Sequence, residues 1–108
     1  MTLLAKRPAE CETMQDIRAE IDRLDVALIA LLVERAGYID RAAVVKTKAG
    51  LPARIAGRVE QVVANVRAEA EAQGLAPDLA ETLWRQLIDW SIAREETVLG
   101  AGAPKEAK

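Results

Sequence analysis

Basic side chains at helical spacing are the residues of this sequence that could do chemistry. Arg35 interrupts a stripe that is otherwise mostly apolar and advances by alternate steps of four and three residues: Ile17, Ile21, Leu24, Leu28, Leu31, Arg35, Tyr38, Ala42 and Val45. This period is typical of one face of a helix packed against other helices. Because burying an unpaired guanidinium costs several kcal/mol, Arg35 is predicted to pair with a carboxylate or to bind a ligand.

Two more basic residues lie on the same predicted helix. Lys46 follows Arg35 by 11 residues, so the two share a face about 16 Å apart and could converge on a dianion. The alternative for Lys46 is an interaction with the C-terminal helix dipole. Arg18 precedes Arg35 by 17 residues, about 25 Å, so the two cannot hold one small ligand within one chain. The alternative for Arg18 is a solvated residue beside Asp16 or Asp22.

A hydroxyl and a carboxyl occur together near the end of the chain. Ser91 and Glu95 are four residues apart, on the same helix face as Ile88 and Val98, and both are predicted to point inward. An inward carboxylate near basic groups belongs either to a structural ion pair or to a site, and the sequence favours neither.

The sequence contains no histidine and a single cysteine, Cys11. Without histidine the usual general base and the commonest transition-metal ligand are missing. Catalysis would therefore depend on Arg, Lys, Glu, Asp or Ser, which favours electrostatic stabilisation over nucleophilic chemistry. We predict no cofactor and no metal, and we interpret Cys11 as an incidental thiol because it cannot form an internal disulfide.

Composition indicates an ordinary globular chain. Its 108 residues include 15 basic and 17 acidic ones, with 51% hydrophobic and only three aromatic residues, two Trp and one Tyr. The composition does not favour nucleic-acid binding, because the sequence has no block of basic residues and too few aromatic residues for a base-stacking surface. No apolar run approaches a membrane span or a signal sequence, so we predict a cytoplasmic protein without membrane contact.

Turn signals divide the chain into three helices without any strand, an all-α class. Helix 1 is predicted from Met14, capped by Thr13, to the Ala49-Gly50 stop, helix 2 from Arg54 to Gln73, and helix 3 from Pro77 or Asp78 to Gly100. Residues 1–12 are predicted to be a flexible arm, 13–100 a helical domain and 101–108 a disordered tail. Gly37 within helix 1 suggests close approach of another backbone or a ligand.

The length of helix 1 predicts a second subunit. A helix of about 33 residues spans roughly 50 Å, whereas a compact monomer of this size has a radius of gyration of about 13 Å. Its apolar face is best covered by a two-fold partner with an antiparallel long helix. We predict an intertwined homodimer, in which Arg18 of one subunit can approach Arg35 of the other.

These features resemble the AroQ-type all-helical chorismate mutases and the related isochorismate-pyruvate lyases. The resemblance covers roughly residues 16–99 and rests on the spacing of Arg18, Arg35 and Lys46, together with Ile21-Asp22-Arg23-Leu24-Asp25, Pro52, Arg58, Gly74-Leu75 and the stretch from Trp84 to Glu95. It implies an intertwined three-helix dimer with shared active sites and a small dicarboxylate substrate, chorismate or isochorismate.

The same resemblance implies roles for the basic residues. Arg35 and Arg18 of the partner subunit would hold the two carboxylates of the substrate. Lys46 would bind a carboxylate and the ether oxygen. Arg58 resembles the arginine of the lid at the start of helix 2.

On helix 3, the resemblance places Ser91 near the carboxylate or hydroxyl region of the substrate and Glu95 at the breaking ether oxygen. Glu95 replaces the glutamine common in bacterial members. Typical mutases have acidic residues near the lid, and the matching positions in this sequence are Ile55 and Val59. In this respect the sequence is more similar to the lyases.

The leading hypothesis is a chorismate mutase that forms prephenate in aromatic amino acid biosynthesis. The alternatives are an isochorismate-pyruvate lyase that gives salicylate and pyruvate, and a non-catalytic helical dimerisation or regulatory module in which Arg35 pairs with an interface carboxylate.

Overall fold

A computed structural model describes residues 5–100; residues 1–4 and the predicted tail, 101–108, lie outside the described residues. It contains a short 3-10 turn, Pro8–Glu10, and three helices, α1 (Met14–Ala49), α2 (Ala56–Gln73) and α3 (Pro77–Leu99). No strand occurs between residues 5 and 100. The predicted all-α class, with one long and two shorter helices, is therefore confirmed. Residues 5–36 form one unit and 37–100 a second, and each is described by itself.

Local signals set both ends of α1. The Thr13 hydroxyl accepts the backbone N–H of Asp16 at 3.0 Å, and the Asp16 carboxylate accepts the N–H of Glu12 at 3.1 Å. At the other end Gly50 takes a left-handed φ of 71°, which lets the N–H of the next residue, Leu51, reach the carbonyl of Lys46 at 2.9 Å. These are the helix cap and the glycine stop that the sequence predicts.

The second helix begins two residues later than predicted. Ile55 precedes α2 in an extended conformation, with φ −121° and ψ 104°. Ala53 is buried in the core and Arg54 pairs with Asp89 on α3 at 3.0 Å, so both are held outside the helix. Gly74, with φ 88°, ends α2 as predicted.

In the first unit, none of the described residues 5–36 is buried. The stripe residues of α1 are exposed in the single chain, for example Leu28 at 55% and Leu31 at 62%. In the predicted arm, the Lys6 ammonium pairs with Asp16 at 3.1 Å; the mobility of this arm stays a prediction. Residues 5–36 therefore do not themselves bury the stripe, which is predicted to be covered by a partner.

In the second unit, α2 and α3 pack on each other around an apolar core. Ala53, Val63, Ile88 and Ile92 form its buried centre, and partly buried side chains surround it: Val59, Val62, Trp84 and Leu99. The core lies against the C-terminal half of α3, so it supports the helix face that carries Ser91 and Glu95.

Two details complete the fold. A Cβ built on Gly37 would meet no atom within 4 Å in the single chain, and the close approach of another backbone or a ligand to Gly37 stays a prediction. Between residues 5 and 100, no helix is long and apolar enough to span a membrane.

Candidate active site

The ammonium of Lys46 is the centre of a compact polar cluster in the second unit. Its Nζ donates to Oε1 of Glu95 at 2.7 Å and to the carbonyl oxygen of Ala53 at 2.7 Å. Glu95 is only 4% exposed, and the Lys46 side chain is 20% exposed. A lysine ammonium has three N–H donors, so these two contacts leave one for a ligand. The cluster can therefore bind an anion or an ether oxygen from its open side.

Three elements converge to build this cluster. Lys46 lies in the last turn of α1, Ala53 in the connection to α2, and Glu95 near the end of α3. The connection is fixed from two sides, because Ala53 is buried in the core and the guanidinium of Arg54 contacts Asp89 at 3.0 Å. The carbonyl of Ala53 thus lies at a defined place and orients the ammonium.

Ser91 lies one turn before Glu95 on the same face of α3. Both residues are buried, at 4% exposure each, which confirms the predicted inward direction. The Ser91 hydroxyl donates to the carbonyl of Leu87 at 2.8 Å. Val98, seven residues after Ser91 and hence on the same face by helical spacing, is 62% exposed and lines an open surface groove with Trp90.

The residues at the start of α2 are not part of this buried polar cluster. Arg58 is exposed in the first turn, and its Nη1 donates to Oε1 of Gln61 at 2.7 Å. Val59 packs against the core of the second unit, and Ile55 caps the helix. The structure thus brings Lys46 and Glu95 into contact and leaves the Arg58 guanidinium beside Gln61.

The two remaining candidates belong to the first unit. Arg18 is exposed near the start of α1, and Arg35 is half-buried further along the same helix. Arg35 has an interaction partner of its own. Both residues belong to the first unit, whereas Lys46, Ala53 and Glu95 belong to the second.

Two contacts of this region were missed by reasoning from the sequence. The carbonyl of Ala53 gives no signal in a sequence, since every residue carries a backbone carbonyl. Asp40 and Arg94 form an ion pair between α1 and α3, and such a pair could have been found only by testing each acidic residue of α1 against the basic residues of α3.

Comparison with known proteins assigns the family. Residues 17–96 match the family described as chorismate mutase type II, which is most of the chain. The chain therefore belongs to the chorismate mutase type II family, as the resemblance of its motifs predicted.

Individual relatives refine this assignment. The T-protein of Enterobacter agglomerans is 37% identical over 79 residues, 73% of this chain and 21% of the T-protein. The T-protein of Haemophilus influenzae is 36% identical over 84 residues, 78% of this chain and 22% of the T-protein. The chain thus spans about a fifth of the length of these relatives. The isochorismate pyruvate lyase of Pseudomonas aeruginosa is 34% identical over 91 residues, 83% of this chain and 88% of the lyase.

Proposed function

We propose that this protein is a chorismate mutase, which rearranges chorismate to prephenate in aromatic amino acid biosynthesis. The observation that carries the proposal is the Lys46 ammonium, held 2.7 Å from Glu95 inside the segment that matches the family. The rearrangement is pericyclic: one carbon–oxygen bond breaks and one carbon–carbon bond forms within a single molecule. It needs a compact substrate conformer and a cation where negative charge grows on the ether oxygen.

Lys46 is suited to that second task. Its ammonium is fixed by two acceptors, so it does not have to reorganise when charge develops in the transition state. Preorganised donors of this kind supply a large part of many rate enhancements. The third N–H would contact the ether oxygen or an adjacent carboxylate of the substrate.

The other substrate contacts are proposed from family membership and sequence spacing. Arg35 and Arg18 of the partner subunit would bind the two carboxylates of the substrate as fork-shaped donors. Arg58 would close over the substrate from the start of α2, and Ser91 would contact its carboxylate or hydroxyl region. No cofactor or metal takes part in this scheme.

A shared site requires an intertwined homodimer, and the exposed stripe of the first unit supports it. Five stripe residues between 17 and 31 are exposed by 38% to 62% in the single chain: Ile17, Ile21, Leu24, Leu28 and Leu31. Burying a large aliphatic side chain contributes about 1.5–3 kcal/mol. Packing a partner helix against this stripe therefore makes a large favourable contribution to the free energy of dimerisation. We propose that the partner is a second copy of this chain.

Glu95 can assist the ether oxygen only as a hydrogen-bond donor, and Glu95→Gln tests this role because its amide is a permanent donor of similar shape. If Glu95 donates to the ether oxygen, we expect Glu95→Gln to keep or raise kcat. A large fall in kcat would return Glu95 to a structural ion pair with Lys46, which Oε1 contacts at 2.7 Å.

One relative favours a second candidate function. The Pseudomonas aeruginosa lyase matches this chain along 88% of the lyase, and the start of α2 carries Ile55 and Val59 rather than acidic residues. The same site could then eliminate pyruvate from isochorismate and release salicylate, again without a nucleophile.

The deciding experiment incubates the purified protein separately with chorismate and isochorismate and follows prephenate and salicylate. Prephenate from chorismate supports the mutase, and salicylate from isochorismate supports the lyase. If neither product forms, both enzymatic proposals fail, and the chain is better explained as a helical dimerisation or regulatory module.

A further inference from the structure

A second ion pair joins the helices that carry Lys46 and Glu95. Arg94, adjacent to Glu95 on α3, contacts Asp40 of α1 through two parallel hydrogen bonds, Nε to Oδ1 at 2.5 Å and Nη2 to Oδ2 at 3.0 Å. The guanidinium also lies over the indole of Trp90, with 5.3 Å from Cζ to the ring centroid. The side chains of Arg94 and Asp40 are about half exposed, at 45% and 52%, but a guanidinium that contacts both a carboxylate and a ring is more restricted than one that contacts a carboxylate alone.

This pair electrostatically favours both charged forms. The hydrogen bonds from Arg94 lower the pKa of Asp40 against the opposing effect of desolvation, and those to Asp40 raise the pKa of Arg94. The pair is therefore ionised throughout the neutral range, in which a pericyclic enzyme of this family would work.

Within the second unit, few other contacts fix the C-terminal part of α1, residues 37–49, against α3. Ala43 is the only buried residue of α1, and it lies between Asp40 and Lys46 in the sequence. The apolar core involves the α1–α2 connection, α2 and α3. The Lys46–Glu95 contact alone would leave α3 free to rotate and shift relative to α1, since one contact fixes neither the orientation nor the translation of a helix. A second contact, six residues or about 9 Å along α1, removes that freedom.

We propose that Asp40 and Arg94 are positioning residues: their ion pair fixes where α3 meets the C-terminal half of α1, and so fixes the distance between the Lys46 ammonium and the Glu95 carboxyl. They act through Lys46 and Glu95 and do not touch the substrate. As far as turnover is concerned, this inference rests on the proposed function.

The test exchanges the two charges. Asp40→Lys places two cations opposite each other, Arg94→Glu places two carboxylates there, and the double variant restores an ion pair of reversed polarity. Since a misplacement of about 1 Å can cost up to about 100-fold in rate, we expect each single variant to lower kcat by at least about 10-fold, with a much smaller change in KM. The double variant should recover kcat to within about threefold of the wild type.

Glu60→Lys is the matched control. Glu60 forms a comparable two-bond pair with Arg85, at 3.0 and 3.2 Å, but that pair joins α2 to α3 and does not involve α1. All variants are assayed well below their melting temperatures, with folding checked by circular dichroism. Glu60→Lys should keep the kcat of the wild type, whereas a purely structural role for Asp40 and Arg94 would leave kcat unchanged in their variants too.

A readout independent of activity separates this inference from the proposed function. The side-chain carboxyl carbon of Glu95 is followed by 13C NMR and assigned by its loss in Glu95→Gln. We expect Asp40→Lys to shift this resonance, the double variant to return it, and Glu60→Lys to leave it in place. An unmoved Glu95 resonance in Asp40→Lys overturns the proposal whatever the rates are. If the wild type converts neither substrate, the proposed function fails while this measurement still decides the positioning role.

Discussion

The two units of the chain differ in whether their apolar side chains are buried. All buried residues among 5–100 lie in the second unit, where α2 and α3 enclose a core. In the first unit the aliphatic stripe of α1 is exposed. The Lys46 cluster lies in the unit that buries its own core, and the candidate carboxylate-binding residues Arg18 and Arg35 lie in the other. The proposed catalytic residues Lys46 and Glu95 therefore lie in the unit that packs within one chain, whereas Arg18 and Arg35 lie in the unit on which we propose that a second copy packs.

The largest expected effect comes from placing a charge on the exposed stripe. In a two-fold dimer, Leu28→Asp puts an aspartate into the proposed interface from both subunits, and an unpaired buried carboxylate is strongly unfavourable. We expect loss of the dimer, of helical structure and of all turnover, measured by analytical ultracentrifugation, circular dichroism and assay. Val26→Asp is the control, because Val26 is also exposed, at 72%, but lies off the stripe. A Leu28→Asp protein that stays dimeric would contradict the proposed interface.

The next effect concerns the cluster of the second unit. Lys46→Ala removes the preorganised cation and leaves Glu95 without its partner, and we expect kcat to fall by about 100- to 1000-fold, as for loss of one oxyanion-stabilising donor. Lys48→Ala, two residues away at the exposed end of α1, should change kcat little. Equal rates for the two variants would remove Lys46 from the reaction.

Mixing inactive variants tests the shared site. Arg18→Ala and Arg35→Ala homodimers should each lack activity. After unfolding and refolding together, about half of the dimers are mixed and carry one intact site each, so about a quarter of wild-type activity should return. Verified mixed dimers without activity would show that Arg18 and Arg35 do not act on one substrate across the interface.

The smallest effect involves the two ion pairs of Glu81, one within α3 and one between α3 and α2. The Glu81 carboxylate contacts Arg85 at 2.7 Å and Arg67 at 2.8 Å, and the hydrogen bond from Arg85 holds the pKa of Glu81 below its ordinary value of 4.5. A lowered folded-state pKa adds stability above the unfolded-state pKa, and this stability is lost as the pH falls through the folded-state value.

Glu81→Gln should therefore lower Tm at pH 7 by a few degrees at most, about 3 °C or less, since exposed pairs contribute little. The difference from the wild type should shrink at a pH below the folded-state pKa, where Glu81 is protonated in both states. Thermal melts of both proteins at the two pH values measure it. A difference that stays the same at low pH would mean that the charge of Glu81 is not the cause.

Much of the fold could be predicted because its signals are local. Thr13, Gly50 and Gly74 mark helix ends through their own backbone and side-chain geometry, and they lie where the structure ends the helices. The start of α2 could not be predicted to the residue. Ala53 and Arg54 have helix-compatible side chains, and only their contacts with the core and with Asp89 keep them outside the helix.

For the candidate site, too, some features could be predicted from the sequence and others depend on the tertiary structure. The sequence by itself determined which residue types could bind a dianion, their order on the helices and the family to which the chain belongs, because helical period and motif spacing are properties of the chain. Only the tertiary structure decided that Lys46 contacts Glu95, 49 residues away, that the carbonyl of Ala53 completes the cluster, and that Asp40 meets Arg94. These contacts join different helices, and their distances follow from how the helices pack.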